Sequence, residues 1–271
     1  MLESKSNAQI KKIQKLKKSA RFRRQESLFV VEGWKMVEEA LSRNMIQKLY
    51  VSTKVENEYR AKLQGFYQRP AVDERPGLEQ LPVGILSESL FRELSDTITP
   101  QGVMALVKMP HYEREQLMSP SEAALLCLED IQDPGNLGTM IRTAEGAGMA
   151  GVVLSKGCVD LFNPKVVRST MGALFRVPFY LCENLSTEVE YMKKEGFTMY
   201  AAHLQGKCCY TESAYKGRVG ILIGNEAGGL SEEMASLADV KMRIPMEGEL
   251  ESLNAAVSAA LLMYEVRRNR R

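Results

Sequence analysis

Short apolar segments alternate with helix-forming segments throughout the second half of the 271-residue chain. Residues 123–128, 151–154 and 220–223 are apolar almost throughout, and helical patterns separate them. Continuous apolar segments of this length indicate strands buried on both faces, and the helices between them indicate parallel crossovers. The pattern predicts an α/β fold with a mostly parallel sheet. Because ligands of such sheets bind in loops at the carboxyl ends of strands, those loops are the first place to look for a site.

A smaller α/β pattern precedes this one. Its predicted strands are residues 28–31, 46–51, 83–86 and 103–107, and its clearest predicted helix runs from Trp34 to Arg43. A loop is predicted at 68–82, which contains three prolines. The polar segment 111–121 is predicted to be a linker. We therefore predict a basic extension at 1–24, an α/β domain at 25–112 and a larger α/β domain at 113–271.

Positive charge is concentrated at the start of the chain. Residues 1–24 contain nine lysines and arginines and one acid, Glu3, which gives a net charge of +8 and leaves −6 on the rest of a chain whose total is +2. Such a segment either stays solvated or binds the phosphate backbone of a nucleic acid in a salt-sensitive way. Phe22, among three arginines, is a candidate for stacking on a base.

Cysteine and histidine usage excludes several classes of protein. The five cysteines form no C-x-x-C pair and the chain has two histidines, so no zinc or other metal site is expected. Reduced thiols fit a cytoplasmic location. No apolar run approaches the ~20 residues that span a bilayer, and the basic start is not followed by the apolar core of a secretory signal. We therefore expect no membrane partner.

The first of three loops at predicted strand ends covers residues 129–143. Asp133-Pro134-Gly135 is predicted to form a turn, and Asn136 stands where a helix cap is expected. Arg142 follows about two turns into the predicted helix. Its guanidinium is a planar, permanently charged group suited to phosphate, although a surface ion pair would use the same residue type.

The other two loops are residues 223–230 and 244–254. The first contains three glycines and Glu226, but it matches neither the G-x-G-x-x-G fingerprint of a Rossmann dehydrogenase nor a phosphate-binding P-loop. The second ends in Ser252 and Asn254, which open a long predicted helix and could serve only as caps. That helix carries an apolar stripe at helical spacing, made by Leu253, Val257, Leu261 and Tyr264.

Taken together, the three loops are more specific than any one of them. Asn-Leu-Gly-x-x-x-Arg-Thr from Asn136, Gly-Asn-Glu-x-x-Gly-Leu from Gly224 and Ile-Pro-Met-x-Gly-x-x-x-Ser-Leu-Asn from Ile244 occur in that order. They resemble the three motifs of the SpoU/TrmH branch of the SPOUT RNA methyltransferases, over residues 123–271. Ala227 departs from the glycine of many members. More weakly, residues 29–33 and the following helix resemble the L30e-like substrate-binding domain often attached to this branch.

The resemblance implies a fold, a cofactor and a set of site residues. The expected fold has a deep C-terminal trefoil knot, in which backbone groups hold S-adenosylmethionine, and two chains form a homodimer that completes each active site. Methyl transfer to a ribose 2′-hydroxyl of RNA is the expected activity. The matched cofactor-binding positions are Gly224, Ile244, Met246 and Leu253. The matched catalytic positions are Asn136, Arg142, Glu226, Ser252 and Asn254.

Within this resemblance, the proton acceptor needs an argument of its own. None of the three loops contains a histidine, which excludes the usual general base. The resemblance implies that Arg142 has this role, but an arginine is very hard to deprotonate. We expect Arg142 to bind the neighbouring phosphate and stabilise the developing alkoxide. Ser252 and Asn254 would fix its geometry, and Glu226 would orient nearby groups.

The expected substrate is large-subunit 23S ribosomal RNA, modified at a guanosine, because an added L30e-like domain is typical of ribosomal RNA members. DNA is excluded as a partner since it lacks the 2′-hydroxyl. Two alternatives stay open at this point. The first is a transfer RNA 2′-O-methyltransferase, and the second is a non-catalytic RNA-binding or ribosome-assembly protein with the same fold.

Overall fold

A computed structural model of the chain describes residues 2–68 and 81–270. The chain forms two compact units. The N-terminal unit consists of Met1–Pro110 and Phe162–Gly172, and the C-terminal unit consists of His111–Leu161 and Ala173–Arg271. Most of the loop predicted at 68–82 lies outside the described residues.

The sheet of the N-terminal unit has four strands in the order β1-β4-β2-β3. These are β1 (Leu28–Glu32), β2 (Ile46–Ser52), β3 (Val83–Leu86) and β4 (Val103–Lys108). Strand β4 is antiparallel to both β1 and β2, whereas β2 and β3 are parallel. Each strand lies within one residue of its predicted bounds, because short apolar runs between turn residues are a strong strand signal.

Two helices form from the basic segment at the start of the chain, where the sequence alone gave no helix prediction. They are α1 (Ala8–Lys18), capped by the Asn7 side chain, and α2 (Ala20–Glu26), capped by the Ser19 side chain. Ile10, Ile13 and Leu16 of α1 are fully buried in a core shared with the sheet. Their spacing gives α1 one apolar face, which the dense positive charge obscures in the sequence.

The remaining helices of this unit surround its sheet. They are α3 (Trp34–Ser42), α4 (Glu56–Gln68), α5 (Glu88–Leu94) and, from the later segment, α8 (Pro164–Ser169). Met36, Val37, Ala40 and Leu41 form the buried face of α3, as their helical spacing predicts.

The sheet of the C-terminal unit has seven strands in the order β7-β6-β5-β10-β8-β11-β9. These are β5 (Ala124–Leu128), β6 (Gly151–Ser155), β7 (Phe179–Cys182), β8 (Phe197–Ala202), β9 (Cys208–Cys209), β10 (Arg218–Ile223) and β11 (Val240–Arg243). All the pairings between these strands are parallel. The predicted α/β fold with a mostly parallel sheet is therefore confirmed.

Five α-helices lie in the described part of the C-terminal unit. They are α6 (Arg114–Met118), α7 (Pro134–Ala147), α9 (Leu185–Lys194), α10 (Glu232–Leu237) and α11 (Ala255–Asn269). Helix α6 lies within the segment predicted as a linker, and its Leu117 and Met118 are buried in the core of this unit. Within the described ranges, no helix combines the length and apolar character that crossing a membrane requires.

The apolar stripe predicted on α11 is not its buried face. Val257 is 48% exposed and Tyr264 is 50% exposed, whereas Ala256, Ala259 and Leu262 are buried. Small alanine side chains let α11 pack closely on α7 and β10, so the larger apolar residues of the stripe point to the surface of this chain.

Candidate active site

Two of the three predicted loops leave the sheet side by side. Strands β5 and β10 are parallel neighbours, with Leu128 opposite Ile223, so the loops that follow them begin at the same edge. The Glu129 amide donates to the Ile223 carbonyl at 2.9 Å. The Glu129 carboxylate then accepts hydrogen bonds from the Ser231 amide and hydroxyl, at 2.8 and 2.6 Å. These bonds join the start of the first loop to the end of the second.

The loop after β10 folds back on itself at Gly224. A Cβ atom at this position would overlap the carbonyl carbon of Gly229, so only glycine fits. The Gly229 amide donates to the Asn225 carbonyl at 2.9 Å, with Gly229 at φ +68°. The Asn225 side chain donates to the Asp130 carbonyl at 2.8 Å, which ties the folded loop to its neighbour.

Glu226 projects from this loop onto the start of α7. Its carboxylate accepts hydrogen bonds from the amides of Gln132 and Asp133 and from the side-chain amide of Asn136, each at 3.0 Å. Partial burial raises the pKa of Glu226, but these three hydrogen bonds outweigh it and leave that pKa below its usual value. The carboxylate is therefore ionised at neutral pH and acts as a fixed acceptor at the positive end of a helix.

Asn136 does not cap α7, contrary to the sequence-based expectation. The cap is Asp133, whose carboxylate accepts from the Asn136 amide at 2.8 Å, and Pro134 occupies the first helical position. This places Asn136 in the first turn with its side chain free for other contacts. That side chain donates to Glu226 and accepts from the Asn254 side chain at 3.0 Å.

Asn254 completes the connection to the third loop. Its side-chain oxygen caps α11 by accepting from the amides of Ala256 and Val257, at 2.9 and 3.3 Å, while its side-chain nitrogen donates to Asn136. Both functions considered from the sequence, a cap and a polar contact, are thus present in one residue. Glu226, Asn136 and Asn254, which we call the Glu–Asn–Asn network, join all three loops.

Arg142 and Ser252 lie outside this network. Both side chains are exposed, and neither makes a hydrogen bond or ion pair with any other residue that the structure describes. Arg142 is six residues beyond Asn136 on α7, about 9 Å farther along the axis and about 120° around it. Within one chain, the guanidinium is therefore available to a partner that approaches this face of α7.

The four predicted cofactor positions lie on the second and third loops. Residues 244–253 are neither helical nor extended in a sheet, and their backbone groups form no hydrogen bonds within the described part of the chain. Ile244, Met246 and Leu253 are partly buried, while most of the residues between them are exposed. Unpaired backbone groups beside partly buried apolar side chains fit a ligand with both a polar and an apolar surface, such as an adenosine group.

Sequence reasoning missed several residues that shape the site. Asp130 adopts φ +53°, its carboxylate accepts from the Ser155 hydroxyl at 2.6 Å, and any side chain at position 157 would overlap it. Gln132 donates to the Gly157 carbonyl at 2.6 Å. Two features of the sequence could have indicated these contacts. They are the acidic pair Glu129 and Asp130 directly after β5, and Gly157, two residues after the end of β6.

Comparison with known proteins supplies the family. The model of the SpoU rRNA Methylase family matches residues 123–264, a span that contains all three loops. The chain belongs to this family. A second model, that of the MRM3-like substrate binding domain, matches residues 7–105, so the SpoU family match is joined to a domain that includes α1 and α2. The predicted family resemblance is therefore confirmed.

Individual relatives within the SpoU family agree with this assignment. The chain is 34% identical over 269 residues to the 23S rRNA (guanosine(2553)-2′-O)-methyltransferase RlmP of Bacillus subtilis (strain 168), covering 98% of each protein. It is 27% identical to the mitochondrial rRNA methyltransferase 3 of Homo sapiens, covering 94% of this chain and 70% of that protein.

Solved structures give the same fold. The SpoU methyltransferase AviRb from Streptomyces viridochromogenes, in complex with the cofactor AdoMet, superimposes with a TM-score of 0.84 at 25% identity and covers 97% of this chain and 98% of that one. The AdoMet-bound rRNA methyltransferase from Sinorhizobium meliloti has a TM-score of 0.82 at 28% identity and covers 98% and 97%.

Proposed function

We propose that this protein transfers a methyl group from S-adenosylmethionine to a ribose 2′-hydroxyl of 23S ribosomal RNA, at a guanosine. The observation that carries this proposal is the Glu–Asn–Asn network, which joins all three loops at the carboxyl edge of a parallel sheet. Family membership and the similarity to RlmP support the substrate and the cofactor.

The residues at this site have different tasks in the proposed reaction. S-adenosylmethionine, when bound, supplies a methyl group on a positively charged sulfur that leaves as a neutral thioether. Residues 244–253 and Gly224 hold it through backbone groups, with Ile244, Met246 and Leu253 as the apolar wall. In-line transfer depends on alignment, so rigid support of these loops contributes directly to the rate.

Glu226 and Asn136 act as positioning residues in this proposal. The Glu226 carboxylate already accepts three hydrogen bonds and has a lowered pKa, so it is a poor proton acceptor. It anchors Asn136, and Asn136 in turn fixes Asn254 at the entrance to α11. The network therefore holds the cofactor loop against the first loop.

Arg142 and Ser252 are the groups left to contact the RNA. The Arg142 guanidinium binds the phosphate next to the target ribose and stabilises the negative charge that develops on the 2′-oxygen. The proton leaves through that phosphate or to water, because the three loops contain no histidine. Ser252 donates or accepts at the ribose.

We also propose that two chains form a homodimer. Three features support it: the exposed apolar residues Val257 and Tyr264 on α11, the packing of α11 beside α7, and an exposed Arg142 on α7 that has no ionic partner among the described residues. A second copy on this face would cover the apolar residues and bring Arg142 to the partner's network.

In addition we propose the C-terminal trefoil knot, supported by the placement of β10 between β5 and β8 with β11 beyond β8.

Helices α1 and α2 are proposed to bind the RNA backbone. Lys11, Lys15, Lys18, Arg21 and Arg24 are exposed on them. The Lys15 ammonium lies 4.1 Å from the centre of the partly buried Phe22 ring, so Phe22 positions a cation, and its stacking on a base stays a prediction. With a ribosomal RNA substrate and five free cysteines, a cytoplasmic location is the one we propose.

A methyl-transfer assay tests the function. Purified protein is incubated with isotopically labelled S-adenosylmethionine and, separately, with unmodified 23S ribosomal RNA, assembled large subunits and transfer RNA. We expect label in 23S RNA or in the large subunit, at a 2′-O-methylguanosine that is absent from cells lacking this protein. Label in transfer RNA alone would show that transfer RNA, and not ribosomal RNA, is the substrate. No label in any RNA would favour the alternative of a non-catalytic RNA-binding protein.

A further inference from the structure

Trp34 is the only tryptophan of the chain and opens α3 in a partly exposed position. Its ring lies against that of Tyr59 on α4, with centroids 5.6 Å apart and planes inclined by 41°. The indole lines a cavity of about 580 Å³ together with Lys35, Val55 and Lys62. This volume falls in the range of about 300–1,000 Å³ that is typical of small-ligand sites. The N-terminal unit thus presents an aromatic surface beside a space large enough for a nucleotide.

Gln101 fixes the backbone of Trp34 and the side chain of Tyr59, on which the indole packs. The Gln101 side-chain oxygen accepts from the Trp34 amide at 2.8 Å, and its backbone carbonyl accepts from the Tyr59 hydroxyl at 3.0 Å. Burial, with a smaller effect from the charge of Glu58, raises the pKa of Tyr59 to about 12, so this hydroxyl remains a donor. A ring that is fixed before binding loses little conformational freedom when a ligand stacks on it.

Two lysines, Lys35 and Lys62, line the cavity beside the partly exposed indole. The Lys62 ammonium lies 5.8 Å from the centre of the Trp34 ring and is paired with Glu58 at 2.6 Å. Lys35 is exposed and makes no ion pair within the described ranges. At least one positive charge beside the ring is therefore not neutralised by that part of the chain.

A second cavity continues from the first. It has a volume of about 410 Å³ and shares Val55 and Pro100 with the Trp34 cavity. Ile98, on its edge, is fully exposed. Two cavities that share lining residues offer neighbouring sites for successive units of a chain molecule, as an extended strand would require.

We propose that the Trp34 cavity binds an unpaired base of the RNA substrate, which stacks on the indole while Lys35 pairs with an adjacent phosphate. That the ligand is RNA rests on the function proposed above. Unpaired bases splayed onto aromatic side chains beside cations are the usual means by which proteins bind single-stranded RNA. A paired helix has no base available for such stacking.

The fluorescence of Trp34 tests this directly, because no other tryptophan contributes. Full-length protein is titrated with single-stranded polyuridine RNA and with a fully paired RNA duplex, and binding is followed in parallel by anisotropy of a labelled RNA. We expect the single strand to quench the emission in step with binding, while the duplex binds without quenching. Single-strand binding with unchanged emission would overturn the proposal.

Variants provide a second test that does not depend on the fluorescence. Trp34→Leu should weaken single-strand binding by roughly 5- to 100-fold, which corresponds to the loss of one stacked base. Trp34→Phe keeps a flat ring and should lose less, and Tyr67→Leu, a matched change of an aromatic residue outside the cavity, should bind like the wild type. Equal affinities for Trp34→Phe, Trp34→Leu and wild type would also overturn the proposal. If the Trp34→Leu variant does not fold, the fluorescence titration of the wild type still tests the proposal.

Measuring methyl transfer by the wild type alongside the quenching tests the base site and the proposed methyltransferase function independently. Quenching by single-stranded RNA without methyl transfer to any RNA would remove the proposed function and keep the base site. Methyl transfer to 23S RNA with unquenched emission would remove the base site and keep the function.

Discussion

At the residue scale, Arg142 differs from the rest of the predicted catalytic set. Glu226, Asn136 and Asn254 hold one another in place, whereas the Arg142 guanidinium is exposed and has no ionic or hydrogen-bonding partner among the described residues. The fold does not need this residue for its stability, because an exposed cation contributes little to the free energy of unfolding. The role that we propose for it is contact with RNA or with another chain.

The Arg142→Ala variant should separate catalysis from cofactor binding. We expect methyl transfer to fall by about 100-fold or more, because the charge that stabilises the 2′-oxygen is lost. The dissociation constant of S-adenosylmethionine, measured by calorimetry, should stay unchanged since the cofactor positions lie on other loops. Arg43→Ala, which removes a guanidinium paired with Glu39 at 2.8 Å, is the matched control and should remain active. Near-normal turnover of Arg142→Ala would take this residue out of the mechanism.

The Glu226→Gln variant tests the anchor of the network. A neutral amide accepts the three hydrogen bonds less well, so we expect a loss of about 1 kcal/mol in the free energy of unfolding at neutral pH and a lower kcat. Because folding lowers the pKa of Glu226, its contribution is complete above the unfolded value of 4.5 and is lost as the pH falls through the folded value.

Wild type should therefore lose more stability than Glu226→Gln when the pH is lowered below 4.5 and through the lower pKa of the folded state. Urea unfolding at neutral and acidic pH measures both values. Identical losses in the two proteins would show that the carboxylate charge does not anchor the loops.

At the scale of elements, α1 and α2 combine two roles in one short stretch of chain. One face buries Ile10, Ile13 and Leu16, and the other carries the exposed cations. The apolar face fixes the cations on a folded surface, so they form an ordered array and not a solvated tail, which favours the proposed contact with the RNA backbone.

Changing Lys11 and Lys18 together to Gln should weaken RNA binding and reduce its salt dependence. If both contact phosphates, the slope of log K against log salt concentration should fall by about 1.4–1.8. Lys194 and Lys216, two exposed lysines of the C-terminal unit, provide a double variant with the same change in net charge. Equal slopes for the two double variants, measured by anisotropy over a salt series, would rule out a specific contact by α1.

How far these elements could be foreseen depended on the physical signal each one carries. Strands β5, β6 and β10 and the loops after β5 and β10 were predictable, because continuous apolar runs and glycine-rich turns have few alternative interpretations. Helix α1 was missed because charge dominated its composition. The cap of α7 was placed at Asn136 and not at Asp133, because both residue types cap helices and only the course of the chain distinguishes them.

The buried face of α11 could not be predicted from the sequence either. Large apolar residues usually mark the core, yet here alanines pack inward and Val257 and Tyr264 point outward. No local sequence pattern distinguishes an apolar stripe that packs within its own chain from one that stays exposed on the surface of that chain.

At the scale of the whole molecule, the proposed homodimer can be tested by mixing two inactive variants. If Arg142 acts at the partner's site, a heterodimer of Arg142→Ala and Asn136→Ala contains one site with both wild-type residues. Random exchange of the two chains should then restore about a quarter of wild-type activity, since half the dimers are mixed and each has one intact site. No recovery after exchange, confirmed by mass analysis of the mixed dimers, would mean that each site is built within one chain.

The Glu–Asn–Asn network also has a temporal consequence. Asn136 and Asn254 are 118 positions apart, and Asn254 directly precedes α11. While the protein is being synthesised, Asn136 lacks this partner until Asn254 has left the ribosome. The first loop can therefore fold early, but the network that joins it to the third loop forms only after residue 254 has been made.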